Sequence, residues 1–445
     1  MNDHLDRAVI HEFAGYLLRR ASARRPWLTS CFLNREFMNA MPNQKKRVLF
    51  VDDETALLDL YKAVFDDERD QWEINFAPSA NQALDIMGEE PMDVVVSDMR
   101  MPGMSGAQLL QETMKRHPKT SRLIMSGYAD AEQIAQCLGA THQFIAKPFE
   151  LGTLRGTIGR VCALDSCLLD DKLKSLVAQL RTLPSLPSLY FRIIEALSSE
   201  ETTLEQIGTI IASDPSMTAK MLQLVNSAFF GIARRIANPV EAVQFLGVGR
   251  VRSLVLSLHV FSRFEQSRFK NFSIEQVWKH SMSTGLVAQK IARLQKMDRA
   301  FQDETYVAGM LHDIGKVMLA ASLPEEYEKA VAMTTEENIS LRDAEREVFG
   351  ATHDQVGAYL LGLWGLPITI VEAVAFHHEP QQSTVLAFSP LTAVHAASAL
   401  EHDIREPKAD VTEMAIDREY LSKLDLNDRV KGWRDAAEEA MGDAD

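Results

Sequence analysis

Polar side chains stand at the ends of short apolar runs in the first third of the chain. VLFV runs into Asp52 and Asp53, DVVVS into Asp98, RLIM into Ser126, and QFIA into Lys147 followed by Pro148. Two adjacent carboxylates repel, and desolvation at a strand end worsens the repulsion, so the Asp52–Asp53 pair implies a cation nearby. Clustered carboxylates suit a hard divalent ion such as Mg²⁺, which takes oxygen ligands and keeps some of its waters. A carboxylate can also attack phosphorus and form an aspartyl phosphate. Mg²⁺ and an ammonium such as Lys147 would offset the charge that builds on the phosphoryl oxygens, and the Ser126 hydroxyl can bond one of them. Taken singly, each strand-terminal Asp reads as a solvated loop start. The combination at successive strand ends carries the chemistry.

A second constellation lies in the carboxyl-terminal half. His280, His312, His353, His377, His378 and His395 fall on apolar helical stretches, six of the chain's 12 His. In AGMLHDIGKVML, His312 and Asp313 are adjacent and Lys316 follows, while Val307, Leu311, Ile314 and Met318 give an apolar stripe. The doublet interrupts a helix suited to burial, and burying His with Asp is costly unless they are bonded or ligated. A lone His on an apolar face is usually a satisfied core residue, and His377–His378 also suits a helix C-terminus before Glu379–Pro380. The doublet together with further His on successive apolar helices points instead to metal. Imidazole and carboxylate suit Fe, Mn, Zn or Ni, ions that activate water for phosphoester hydrolysis.

Two kinds of architecture must position these sets. From Val48 to about Leu164, the runs VLFV, EINFA, DVVVS, RLIMS and QFIA alternate with helical stretches such as TALLDLYKAVF and GAQLLQETMKR. Near-continuous apolar strands alternating with helices predict a five-stranded parallel α/β sheet, doubly wound, with its site at the carboxyl ends of the strands. LDDKLKSLVAQLRTL then reads as a charged amphipathic connector, and LPSLPS as a boundary, since proline and the residue before it resist helix. From Leu189 to about Leu400 nearly every segment has helical period, which predicts an all-α region. The expected division is an extension over 1–45, the α/β domain over 46–164, a connector over 165–181, a helical domain over 182–400 and an acidic tail over 401–445. Met41, just before PNQKKRVLFVDDE, reads as an alternative start. No internal repeat is visible.

Bulk properties narrow the function classes. A chain of 445 residues with 46% hydrophobic and 24% charged content is ordinary for a multidomain globular protein. A net charge of −15 disfavours a protein that coats nucleic acid. RRIANP and GRVRS are small local charges and supply no basic recognition segment, so direct DNA binding is not expected. Cys31, Cys137, Cys162 and Cys167 show no CxxC spacing, which fits a reducing cytosol. No uncharged apolar run reaches a membrane span, and the amino terminus lacks the apolar core of a secretory signal. A cytoplasmic location is expected.

Around Lys46 to Leu164 the segments FVDDE, SDMRMPGMSG, IMSGYAD and FIAKPF resemble the receiver domain of two-component response regulators. The resemblance implies that Asp98 is the phosphoacceptor, that Asp52, Asp53 and Asp98 hold Mg²⁺, and that Ser126 and Lys147 read the phosphoryl group. Phe144 falls where the family carries its switch aromatic. A sensor histidine kinase or phosphotransfer protein is the implied partner. From about Thr182 to Leu400 the chain resembles the HDOD domain, a relative of the HD and HD-GYP phosphohydrolases. LRTLPSLPSL, IIASDPSMTAKMLQLVNSAFFG and AVQFLGVGRVRSLVLSL carry the amino-terminal part, and VWKHS, LHDIGK, THDQVGAYLL, FHHEP and VHAASAL the HD-like part, over about 275–400. It implies that His280, His312, Asp313, His353, His377 and His378 are ligand positions and that Lys316 meets phosphate. No Gly-Tyr-Pro follows HHE, and the closing Asp of the HD pattern is replaced by His395, itself a candidate ligand, with Ser398 one turn later. Two functions follow as expectations. One is a phosphorylation-controlled signalling module that acts on a downstream protein, with dimerisation through receiver or connector. The other is a metal-dependent phosphodiesterase acting on cyclic di-GMP or another nucleotide.

Overall fold

The computed structural model describes residues 45–68, 71–126, 140–164, 171–178, 183–185, 202–226, 236–247, 261–263, 269–405 and 415–442, with a few isolated positions between them. The expected extension up to position 44, Met41 included, lies outside them, as do Cys31, Cys137, Cys167 and residues 127–139.

Five parallel strands form the first sheet: β1 (Lys46–Val51), β2 (Trp72–Ala77), β3 (Val94–Asp98), β4 (Ser121–Ser126) and β5 (Gln143–Ala146). Their order is β2-β1-β3-β4-β5, a doubly wound arrangement. Val48 to Val51 and every residue of β3 and β4 are buried. Helices α1 (Thr55–Val64), α2 (Ala80–Glu89), α3 (Gly106–Arg116) and α4 (Leu151–Leu164) complete this half among the described residues. The register pairs Val51 with Ser97, Asp98 with Met125, and Ala146 with Ser126, so the polar strand ends converge on one rim. Helix α3 shows how local sequence serves that rim. Ser105 caps it in a capping box with Gln108, and Lys115 and Arg116 complement the dipole at its last turn. Gly106 opens it where a Cβ would lie 1.9 Å from the Asp98 carbonyl oxygen, so only glycine permits this approach.

A connector helix, α5 (Asp171–Ala178), leads to the helical half. Its last carbonyl, Ala178 O, accepts from the fully buried Arg122 guanidinium and lies 2.9 Å from His142 Nε2. A cation at the carbonyl end of a helix complements its dipole.

The helical half begins with β6 (Leu183–Ser185), α6 (Leu204–Ala212), α7 (Pro215–Val225), α8 (Pro239–Leu246) and β7 (Phe261–Arg263). β6 and β7 form a two-stranded parallel pair, a small exception to helix among the described residues of this half. With two strands, both are edges, where Pro184 is tolerated. The HD-like bundle follows: α9 (Ile274–Leu294), α10 (Arg299–Leu311), α11 (Ile314–Ser322), α12 (Pro324–Glu336), α13 (Leu341–Phe349), α14 (His353–Leu363), α15 (Ile368–Phe376) and α16 (Pro390–Arg405). α17 (Arg418–Lys423) and α18 (Val430–Gly442) close the chain, α18 packing on α9 and α16. The continuous helix expected through His312–Asp313 is instead two helices. His312 ends α10 and Asp313 opens α11, and both halves keep apolar period, which is why the break is silent in the pattern.

Candidate functional site

At the receiver rim, Asp52 and Asp98 are buried and Asp53 is exposed. Lys147 Nζ contacts Asp98 Oδ1 and lies 3.3 Å from Asp52 Oδ2. The remaining oxygens are anchored to backbone: Asp52 Oδ1 accepts from Glu54 N at 3.0 Å, and Asp98 Oδ2 from Arg100 N at 2.7 Å. Burial raises the Asp52 carboxyl above its ordinary value, more than Lys147 and the Glu54 amide lower it. Burial pulls the Lys147 ammonium down, yet the bonds to Asp98 and Asp52 outweigh it and leave it raised. The ammonium thus lies between Asp52 and Asp98, while Asp53 stays at the solvent edge. Ser126 Oγ, at the end of β4, is buried with no hydrogen-bond partner among the described residues. Phe144 is buried in the apolar cluster with Ile124, Met99 and Ala107. The donor set fits Mg²⁺, with carboxylate oxygens of Asp52 and Asp98 facing one another across Lys147 and Asp53 at the solvent edge.

In the helical half the chain breaks between helices place side chains inward. His312 and Asp313 occupy the α10–α11 turn, His353 opens α14, and His377 follows α15. His280 comes from the middle of α9. Two groups bring three ligand atoms within 4.8 Å of one another: His280, His312 and Asp313; and His353, His377 and His378. Asp313 lies between them. Its Oδ1 is 3.3 Å from His353 Nε2 and 3.9 Å from His377 Nε2, and its Oδ2 is 3.6 Å from His312 Nε2 and 3.8 Å from His280 Nε2. Lys316 Nζ stands 2.9 Å from the same Oδ2.

The tautomers follow from the acceptors. His312 Nδ1 faces Gly309 O at 2.6 Å and His377 Nδ1 faces Val374 O at 2.9 Å. His280 Nδ1 faces a Glu401 carboxylate oxygen at 2.6 Å, and His353 Nδ1 one of Glu345 at 2.7 Å. All four Nδ1 atoms must carry protons, so in the neutral rings all four Nε2 atoms present lone pairs. His280 Nε2 and His312 Nε2 then meet lone pair to lone pair at 3.1 Å. His377 Nε2 and Asp313 Oδ1 are buried without a partner. Lone pairs packed against one another without hydrogens are what a Lewis acid relieves, and Glu345 and Glu401 supply the carboxylate–histidine support typical of metal sites.

Burial holds three of the rings, His312, His377 and His378, in ligand form. It takes His312 down to about 4 and His377 and His378 well below the usual imidazole range. Burial also lowers His353, but Glu345 and Asp313 overcome it and raise that ring to about 9. Burial pushes the Asp313 carboxyl up, and His312, Lys316 and His353 bring it well below the carboxylate range. With His312 neutral, Lys316 is its closest permanently charged partner.

His395 does not belong to this set. Its Nδ1 faces His377 O at 2.7 Å and its Nε2 accepts from Asp417 N at 2.8 Å, so both ring nitrogens are used by backbone. Helix α16 instead offers Ser398, 3.5 Å from His280 Nε2, and Glu401. Sequence reasoning missed both carboxylates. Glu401, in a helix with no acidic, Lys or Arg side chain up to that point, carried a usable signal; Glu345, within AEREVF, reads as a solvated face.

A parallel sheet with this rim, joined to a helical bundle with a His/Asp cluster, defines a receiver fused to an HD-related domain. The comparisons agree. Residues 48–159 match the response regulator receiver domain, and residues 183–380 match the HDOD domain. Sporulation initiation phosphotransferase F of Bacillus subtilis is 33% identical over 128 residues, 28% of this chain and 99% of that protein. The chain belongs to the response regulators, with an HDOD domain as its second half. An uncharacterized protein of Treponema pallidum is 28% identical over 207 residues, 46% of this chain, and the chain spans only 39% of that protein's length. Among solved structures, the MmoQ response regulator of Methylococcus capsulatus has 22% identity and a TM-score of 0.45, over 57% of this chain and 98% of that one. No helix among the described residues is long and apolar enough to cross a membrane.

Proposed function

We propose that Asp98 accepts a phosphoryl group from a histidine kinase or phosphotransfer protein, and that its state controls the HDOD domain. The observation that carries this reading is Lys147, placed against both Asp98 and Asp52. Asp98 Oδ1 would attack phosphorus, and the Lys147 ammonium and the Ser126 hydroxyl would receive phosphoryl oxygens. Asp52, Asp53 and Asp98 would hold Mg²⁺, which supplies charge neutralisation when bound. The test is labelling with acetyl phosphate and Mg²⁺, read on a phosphate-affinity gel. Wild type should shift and Asp98→Asn should not; an equal shift in both would refute the assignment.

The HDOD half acts in this reading as a metal-holding signalling module that meets a downstream protein. His280, His312, Asp313, His353, His377 and His378 would hold a transition metal, with Glu401 and Glu345 fixing the tautomers. Elemental analysis of the full chain should find about one or two transition-metal equivalents, and His312→Ala should lose at least one. No metal in either protein would end the metal reading.

A second reading, a metal-dependent phosphohydrolase, is favoured by one observation: Lys316 projects beside Asp313 and also lines a cavity of about 190 Å³ with Gln276, Phe272 and Thr334. A phosphate bound there would meet the Lys316 ammonium, which itself stands 2.9 Å from Asp313 Oδ2. Turnover of a nucleotide phosphoester that disappears in His312→Ala and in Lys316→Ala would establish this reading, and its absence in a metal-loaded wild type would exclude it.

A further inference from the structure

We propose that α14 is the element through which the receiver's state reaches the His/Asp cluster. The inference rests on the reading of that cluster as a metal centre. Each end of α14 makes a close approach at a glycine, one end to the segment that carries the His312–Asp313 doublet and the other to the end of receiver helix α4.

At its amino end, α14 opens with His353, whose Nε2 faces both Asp313 and His378. A Cβ on Gly315, two residues after Asp313, would lie 1.9 Å from the His353 carbonyl oxygen. A Cβ on Gly357 would lie 3.2 Å from Gly315 N and from Ile314 Cγ2. The first turns of α14 are thus in direct backbone contact with the segment that carries the His312–Asp313 doublet. At its other end, a Cβ on Gly362 would lie 2.5 Å from Leu164 Cδ2, at the end of receiver helix α4. Gly362 O accepts from Gln143 Nε2 at 3.1 Å. The connector helix α5 packs on α14 as well.

Gln143 is well placed to report the phosphoryl site. It opens β5, and Phe144 follows it in the same strand. Successive strand side chains point to opposite faces, so Phe144 enters the receiver core while Gln143 reaches α14. The same strand runs straight into Lys147, which holds Asp98. Strand and helix each span about 13 Å between their two contacts. Close-packed elements pass a displacement on instead of absorbing it. A shift of β5 or α4 moves Gly362, and a rigid α14 carries it to His353, whose distance to Asp313 and His378 must change.

The experiment uses the full chain with Mg²⁺ present throughout. Beryllium fluoride mimics the phosphoryl group on Asp98, and its occupancy is read by fluorine NMR. Zn²⁺ affinity is measured by chelator competition, and backbone exchange of 353–357 by hydrogen–deuterium mass spectrometry. Coupling of ordinary strength changes the Zn²⁺ dissociation constant about 5-fold or more and alters exchange in 353–357. In Gln143→Ala/Leu164→Ala, which touches no ligand, both changes should shrink below about two-fold while the receiver still takes beryllium fluoride. Unchanged exchange in wild type with an occupied receiver overturns the proposal, whether or not Zn²⁺ binds. Altered exchange in a protein that binds no metal upholds the coupling and overturns the metal reading alone. The wild-type arm keeps the test decisive if the double variant does not fold.

Discussion

Glu345→Gln separates charge from shape at the cluster. Glu345 is fully buried, and its Oε2 accepts from His353 N at 2.8 Å and faces His353 Nδ1 at 2.7 Å. Its Oε1 has no hydrogen-bond partner, so the amide of Gln fits with the same outline and only the charge is lost. In the metal-free protein, Glu345 and Asp313 lift His353 from 6.5 to about 9 against the pull of burial. At about 1.36 kcal/mol for each tenfold gain in proton affinity, that rise corresponds to about 3 kcal/mol. The sign follows from linkage. A ring whose pKa is raised on folding binds its proton more tightly in the native state, so its contribution is complete below about 6.5 and is lost as pH rises through about 9. Chelator-stripped wild type should therefore lose up to about 3 kcal/mol relative to the variant between pH 6 and pH 9.5. Other groups titrate in the same window, so the quantity to read is the difference between the two urea-unfolding curves at each pH. With metal present, the same substitution should weaken binding about 10- to 100-fold, since it removes the carboxylate behind a ligand ring. Parallel stability curves across this pH range, with unchanged metal affinity, would refute the role given to Glu345.

Three further perturbations test other parts of the structure. Lys220 is buried over the Trp364 ring at 4.3 Å, and burial lowers it from 10.5 to about 7. The unfolded chain binds the extra proton between those values, so wild type gains stability as pH rises from about 7 to 10.5. Lys220→Met should add about 3 kcal/mol at pH 7, the desolvation relieved less about 1–2 kcal/mol of cation–π contact, and should flatten that rise; a lower melting temperature at pH 7 would refute it. Gly106→Ala would set a methyl group into the Asp98 carbonyl and should destabilise the receiver by about 3 kcal/mol or more, with loss of acetyl phosphate labelling. His395→Ala should cost about 3 kcal/mol, through the stranded Asp417 amide and His377 carbonyl, while metal stoichiometry stays unchanged. Loss of metal in that variant would restore His395 as a ligand.

The receiver half was legible because its information is local. Apolar runs such as VVVS must be buried on both faces, and a parallel sheet delivers their carboxyl ends to one rim, so Asp52, Asp98, Ser126 and Lys147 meet without further detail. That Lys147 itself stands between Asp52 and Asp98 was not read from the pattern, which pointed to a metal ion there. The His/Asp cluster was legible in type and partly in membership. Helical period alone could not say that α10 and α11 part at the doublet, since both halves are apolar on the same stripe. Nor could it say which turn of α16 faces His280. His395 and Ser398 are neighbours on one face, and the choice between them is made by the His377 carbonyl and the Asp417 amide, contacts distant in sequence. Glu345 gave no signal because a carboxylate in AEREVF is ordinarily solvated; its burial follows from the way α13 meets the start of α14.

The clasp on the last carbonyl of α5 sets where this protein can be cut. Arg122 donates to Ala140, Pro118 and Thr120 carbonyls within the receiver, and to Ala178 beyond it. A fragment ending near Leu164 would strip the Ala178 acceptor from a guanidinium and an imidazole that are otherwise buried, and would uncover Leu164 itself. A fragment carried through Ala178 keeps the helix-end acceptor and leaves the exposed seam along Gln143 and Leu164. Exchange of receivers between proteins of this kind should therefore move α5 with the sheet and treat the Leu164–Gly362 pair as a matched fitting on the two sides of the splice.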